Sequence, residues 1–299
     1  MSDILHPNPG VDSLSMDPST MEAQAATVRV PERPRVSEQI GCSDLAPLLV
    51  GWAVARTGSH WRAFPEHIRE WLDTAARRAL RFAEKPVPVE LRGMPAVWCA
   101  ERARLVQTPA GAVPEIVAVK AGLRERAAQT DYQAAGNRLE AALWKRWMAM
   151  ETEVAWARYA LADVPEHLAG VWTAPKVRMT DAPLITYPDG WGETRWGESF
   201  VPNAKTTRDP KDRPDPPAWI QVQGEMAVMD ADKAVLPHGI GWNADDSYAR
   251  YMDWHPDPTQ RPVRVFWVER DARVGRALVE FSKRAMDWIH EVARKGNGA

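Results

Sequence analysis

The sequence predicts an α/β or α+β fold built around one mixed sheet, and three observations predict it. Helical periodicity opens the ordered part of the chain. A run of short apolar segments punctuated by Gly and Pro follows from about residue 168. A helix–strand–helix order then closes the chain. Segregated helices and strands of this kind bury their apolar faces by packing helices on a shared sheet. The 299 residues suit one large domain or two small ones, and no internal repeat is present.

Taken in order, residues 1–34 carry five acids, two bases and five prolines with little periodic hydrophobicity. They read as a disordered acidic tail. Order is expected to begin near Arg35. In VSEQIGCSDLAPLLVGWAVA (36–55), Ser43 is expected to cap a helix, with Asp44 in the first turn where the helix dipole favours an acid. From His67 to Ala83 the pattern is helical: Ile68, Leu72, Ala76 and Leu80 recur every four residues beside Arg77, Arg78 and Arg81. PVPVEL (86–91) and PEIVAVK (114–120) are expected to be extended. Asp131 to Ala160 reads as one long helix with Leu139, Leu143, Trp147, Met150 and Val154 as its apolar stripe.

LAGVWTA (168–174), APLITYP (182–188) and ESFVPNAKTT (198–207) are expected to be strands. TRDPKDRPDPP (207–217) is a loop, because its prolines forbid regular structure. AWIQVQGEMAVMD (218–230) returns to helical spacing, with Trp219, Val222, Met226 and Met229 on one side. Gln221 and Glu225, four apart, are neighbours on the other. A strand begins at KAVLPHGIGW (233–242), a polar insertion occupies 243–262, and a further strand runs from Val263 to Val268. The last helix has a stripe of Val274, Leu278, Phe281, Ala285 and Ile289.

Composition narrows the function classes. Hydrophobic residues are 45% and charged residues 26%, as in ordinary globular chains, which excludes a wholly disordered or collagen-like protein. The net charge of -2 excludes coating of nucleic acid by bulk charge but leaves room for a local basic groove. Residues 62–104 hold nine Lys or Arg against six Asp or Glu, a stripe that either tracks phosphates or is a solvated face. Two cysteines, Cys42 and Cys99, make no disulfide framework and no CxxC zinc site. No apolar run is long enough to cross a bilayer. The start, MSDILHPNPG, lacks the basic and apolar regions of a secretory signal, so a cytoplasmic protein is expected. The 15 tryptophans are expected chiefly to fill the core; base stacking is the sharper alternative.

Phosphate-loop, dinucleotide-binding and nucleophile-elbow motifs are absent, and the seven histidines form no H-x-x-x-H or H-x-H pair. The remaining chemistry is acidic. Tyr187-Pro188-Asp189-Gly190 ends an apolar strand, and Asn203-Ala204-Lys205 lies on the next, with Asn203 and Lys205 on one face because they are two apart. By itself a Pro-Asp-Gly marks only a turn. A carboxylate at one strand end beside a polar group and a lysine is nevertheless the arrangement of divalent-metal nucleases. There, hard oxygen ligands hold Mg²⁺ and a lysine orients the attacking water.

Several segments taken in order resemble the YqaJ-type viral recombinase family, the phage lambda exonuclease group of the PD-(D/E)xK nuclease superfamily. They are IGCSDLAPLL (40–49), GNRLEAAL (136–143), YPDGW (187–191), NAKTT (203–207), WIQVQGEMAVMDADKAVL (219–236) and VRVFWVERDARV (263–274). The resemblance spans about residues 35–294, with 52–130 as a divergent or inserted region. It implies a restriction-endonuclease-like mixed central sheet flanked by helices. It also implies a Mg²⁺-dependent exonuclease, with Mn²⁺ as a substitute ion. Such an enzyme resects one strand of linear double-stranded DNA from its ends in the 5′→3′ direction. A single-strand annealing protein as partner and a ring-shaped homo-oligomer, a trimer, are implied as well. Carried over, Asp189 would ligate metal, Glu140 would be a second carboxylate acting directly or through water, the carbonyl of Ala204 would add a backbone ligand, Lys205 would position the attacking water, and Gln221 would orient that water or the lysine. Ser43 and Arg35 would hold a DNA phosphate. The departure is Asn203, which stands where the family has Glu and offers a metal an oxygen but no charge. Glu225 is the expected substitute ligand, with Glu198 and Glu193 as alternatives. Two other readings stand beside this one: a nuclease fold catalytically impaired by Asn203 that only binds DNA, and a repair or defence endonuclease on the same scaffold.

Overall fold

The computed structural model of the chain describes residues 36–55, 62–83, 105–126, 131–160, 176–207, 211–242, 255, 257 and 260–298. Ser43 does not cap the first helix. A short strand β1 (Ile40–Gly41) leads into a 3₁₀ turn (Cys42–Asp44) that runs directly into α1 (Leu45–Ala55). The Asp44 carboxylate instead accepts the Gly41 N–H at 3.2 Å and pairs with Lys120 at 2.8 Å. Helix α2 (Glu66–Ala83) follows, then a hairpin of β2 (Leu105–Thr108) and β3 (Gly111–Pro114). Next is α3 (Glu115–Lys120), a helix and not the extended segment expected from PEIVAVK.

Helix α4 (Asp131–Met150) is shorter than expected. The chain leaves it at Glu151, whose carboxylate accepts the N–H groups of Thr152 and Glu153 and the Trp147 indole N–H. It then extends as β4 (Val154–Tyr159), so Val154 belongs to a strand and Met150 is exposed. Aromatic and β-branched residues in VAWARY suit a pleated surface, and pairing with a neighbouring strand overrides the helical spacing. The later strands are β5 (Val177–Arg178), β6 (Leu184–Thr186), β7 (Gly190–Thr194), β8 (Ser199–Pro202) and β9 (Lys205–Thr207). Helix α5 (Pro216–Met229), β10 (Lys233–Ile240), β11 (Val263–Glu269) and α6 (Ala272–Asn297) complete the described order. The tail, Arg35, Cys99, PVPVEL, LAGVWTA and most of the polar insertion lie outside the described residues.

The fold is α+β, as the order of elements predicts. Its main sheet runs β11-β10-β8-β7-β4, with β9 also paired to β10. Strand β10 is antiparallel to β11 and parallel to both β8 and β9. The register is continuous across the gap between β8 and β9, since Val235 faces Pro202 and His238 faces Lys205. Asn203 N–H still donates to the Val235 carbonyl at 2.9 Å. The reciprocal bond would come from residue 237, a proline with no hydrogen to give, and the ladder opens there.

Alternation along the strands separates two cores. Phe200 and Val235 face α4 and pack with Trp144, Trp147, Val154 and Tyr159. Val201, Ala234 and Leu236 face α5 and pack with Val222 and Met226. Behind α5 a third cluster joins α1, α2, α3 and α6 through Leu45, Ile68, Leu72, Val117, Leu278 and Ile289. Helix α5 is therefore sandwiched, which explains why its polar Gln223 and Glu225 are buried with its apolar residues. The stripe of α2 departs from strict fourfold spacing. Ile68, Leu72, Ala75, Ala76 and Ala79 are buried while Leu80 is exposed, because four residues overshoot one turn by about 40° and the stripe drifts. The final helix buries all five of its expected stripe residues, and Asp271 caps it by accepting the N–H groups of Arg273 and Val274.

Among the described residues, Trp52, Trp144, Trp147, Trp242 and Trp288 are buried in the core. Trp144 and Trp147 meet edge-on at 5.1 Å, Trp147 meets Phe200 at 6.0 Å, and Trp52 meets Trp288 at 5.6 Å. Trp156 and Trp196 are exposed. Among the described residues no helix is long and apolar enough to cross a membrane.

Candidate active site

The site forms where α4, α5 and the open stretch of the sheet come together. Asp189 precedes β7. Its backbone carbonyl accepts the Ala160 N–H at 2.8 Å, and its carboxylate accepts the Ala204 N–H at 3.0 Å. Gly190 beside it is required by close approach: a Cβ there would lie 2.3 Å from the Arg158 carbonyl oxygen and 2.6 Å from the Trp144 ring. Asn203 turns its N–H to β10, so Ala204, the next residue, turns its own to the opposite edge, where the Asp189 carboxylate lies.

Glu140 approaches from α4. It accepts a hydrogen bond from the Tyr159 hydroxyl at 3.2 Å and lies in electrostatic reach of Asp189 and Lys205. Burial, and next the negative charge of Asp189, push the Glu140 carboxyl up to about 8. Burial raises Asp189 as well, against the opposing effects of Lys205 and the Ala204 N–H. Desolvation disfavours a carboxylate, and a second carboxylate alongside disfavours it further. The Lys205 amino group donates to Gln221 Oε1 at 3.3 Å. Asp189, Lys205, Glu140 and Gln221, widely separated in sequence, therefore gather at one place.

Glu225 lies one turn beyond Gln221 and is 1% exposed; Asn203 is 2% exposed. The Asn203 amide donates to both Glu225 oxygens, at 3.0 and 3.2 Å, and the Gln221 amide donates to Oε1 at 2.8 Å. Burial, then the charge of Asp189, raise Glu225 to about 7. Asn203 Oδ1 is buried and without a partner among the described residues. Glu198 is drawn elsewhere, into an ion pair with Lys233 at 2.8 Å, and Glu193 pairs within β7 and β4. Ser43 is exposed; β1 runs parallel to β6, which brings it to the sheet end from which Tyr187-Pro188-Asp189 departs. Arg35 lies outside the described residues.

Two neighbours of the site escaped the sequence reading. Tyr159 was hidden in a segment read as helix. His238 faces Lys205 across the strand pair, is buried, and has no hydrogen-bond partner on either ring nitrogen among the described residues. Burial holds it down at about 4, so it is neutral near pH 7. Its only signal was its place on the strand next to Lys-Thr-Thr.

Among the described residues no three His, Cys, Asp or Glu side chains converge closely enough to encircle one ion. The donor set still fits a small hard cation. Mg²⁺ is commonly held by one or two carboxylates, with waters completing its shell. Two desolvated carboxylates face each other here, and a buried amide oxygen nearby is unpaired.

No family model and no curated protein sequence matches the chain. Solved structures of similar outline include an alkaline exonuclease, LHK-Exo, from Laribacter hongkongensis, at 14% identity over 93% of this chain and 98% of that one, with a TM-score of 0.41. A phage-related exonuclease from Haemophilus somnus 129PT is 14% identical over 84% of this chain and 94% of its own, with a TM-score of 0.42. The structure of SSO0001 is 13% identical over 89% and 84%, with a TM-score of 0.31. At such values the side chains, not the outlines, carry any functional reading.

Proposed function

We propose that the protein is a metal-dependent deoxyribonuclease, an exonuclease that hydrolyses phosphodiester bonds from the ends of linear double-stranded DNA. The observation that carries this reading is the meeting of Asp189 and Glu140 with Lys205 and Gln221 at the strand break. Asp189 and Glu140 would hold Mg²⁺ or Mn²⁺, joined by the Ala204 carbonyl and the Asn203 amide oxygen. When bound, such a cation polarises a phosphate and acidifies a water. Lys205 places a positive charge beside the site and offsets the negative charge that develops on the phosphate oxygens. Gln221 holds that ammonium, and its remaining acceptor capacity is open to a water hydrogen. Ser43 and Arg35 would bind a phosphate of the substrate strand. The family resemblance adds a 5′→3′ direction, a trimeric ring and a single-strand annealing partner to the proposal.

Digestion of 5′- and 3′-labelled linear duplex in Mg²⁺ tests it. The expected result is loss of label from one strand end by the wild type, closed circles left intact, and a rate at least roughly 100-fold lower for Lys205→Ala. Nicking of closed circles would turn the assignment to an endonuclease. A second reading is favoured by the neutral Asn203: a nuclease fold that binds DNA without cutting it. Binding without cleavage in both Mg²⁺ and Mn²⁺ would establish that one instead.

A further inference from the structure

Helix α5 carries a carboxylate that the proposed reaction leaves without a task. Glu225 is buried, yet among the described residues no cation closes on it; its contacts are with two neutral amides. Those amides form a chain with a definite direction. A glutamine can present either its oxygen or its NH₂ at a given place. Lysine only donates and an ionised carboxylate only accepts. Between Glu225 and Lys205, Gln221 therefore has one orientation: its NH₂ lies on the carboxylate at 2.8 Å and its oxygen receives the ammonium at 3.3 Å. Asn203 closes the chain from the strand side by giving its NH₂ to both oxygens of the same carboxylate. Remove Glu225, and the Gln221 NH₂ loses its acceptor, so the amide is held from the ammonium side alone.

We propose that Glu225 is a positioning residue for Lys205: clamped by Asn203, it fixes the Gln221 amide in the orientation that holds the ammonium beside Asp189. Position 203 then acts as an amide clamp, and the buried acid acts through two intermediaries. The role in turnover rests on the nuclease reading above; the hydrogen-bond chain does not.

The test uses the full chain with Glu225→Met, which keeps length but offers no comparable acceptor. Glu225→Gln keeps an acceptor oxygen for Gln221 and can place its new N–H on the unpaired Asn203 oxygen. Glu225→Met is expected to lower kcat roughly 100-fold, the cost of a displaced catalytic group, with little change in KM for DNA. Glu225→Gln recovers most of that loss, and Mg²⁺ affinity by calorimetry is the same in all three proteins. Independently of turnover, the Lys205 ammonium hydrogens, slowed in exchange by their bond to Gln221, exchange faster in Glu225→Met when followed by NMR. Asn203→Ala frees the carboxylate without deleting it; because the proposed function also places Asn203 at the cation, it is read by Lys205 exchange in metal-free protein, where a smaller acceleration is expected and carries the test should Glu225→Met not fold. A Glu225→Gln variant as impaired as Glu225→Met, with Mg²⁺ affinity lost, would overturn the proposal in favour of a metal ligand. Unchanged Lys205 exchange in Glu225→Met would overturn it outright. A wild type that cuts no DNA, but whose Lys205 exchange responds as expected, would remove the nuclease reading and leave the positioning role standing.

Discussion

At the level of single residues, the site is a balance of acids against one lysine. Glu140, Asp189 and Glu225 each feel Lys205, and each is raised by burial. The Tyr159 hydroxyl bond to Glu140 favours the ionised form and works against that burial. Tyr159→Phe removes the bond, so the Glu140 carboxyl rises further. If Glu140 must be ionised to work, the acid limb of the kcat/KM profile moves to higher pH in this variant; an unmoved limb would detach Glu140 from the reaction. Much of this was legible from sequence. Asn203 and Lys205 share a strand face by their spacing of two, and Gln221 and Glu225 share a helix face by their spacing of four. The structure brings the two pairs into contact. Tyr159 and His238 were not legible, because each joins the site through strand pairing and neither lies in a motif.

At the level of elements, local periodicity was reliable where one face alone is buried. The stripe of α6 follows directly from sequence, since only that side packs. Strand β4 did not, because VAWARY becomes a strand through its pairing with β7, a neighbour the local sequence cannot announce. Helix α3 failed for a related reason: a six-residue apolar segment carries too little period to separate helix from strand. The β4–β7 pairing makes its own prediction. Gly190→Ala puts a methyl group against the Arg158 carbonyl and the Trp144 ring. Backbone cannot move aside as a side-chain tip can, so the substitution is expected to cost about 1–3 kcal/mol in urea unfolding. It should also lower activity, by shifting Asp189 away from Ala204. A variant with wild-type stability would show that β4 yields.

At the level of the whole molecule, the clustered acids tie stability to pH. Glu140 and Glu225 move from 4.5 to about 8 and about 7 on folding, so the folded chain holds protons that the unfolded chain has released. Stability must then fall as pH rises through that window. His238 acts oppositely, but only below its ordinary 6.5, where the unfolded chain gains a proton that the buried ring refuses. Between pH 6.5 and 8 the acids act without it. The melting temperature in chelator is expected to drop across this interval, and added Mg²⁺ should reduce the drop. A flat profile would mean that the acids are better solvated than their burial indicates.

Pro237 has no part in the proposed chemistry, yet it marks the gap in the sheet beside which the site's side chains gather. A sheet sealed by every available hydrogen bond presents side chains and little else. By withholding one hydrogen in mid-strand, an imino acid leaves the Asn203 carbonyl without its rung, a seam in the fabric right beside the acids. Any ordinary residue in its place would offer the missing hydrogen and stitch that seam shut.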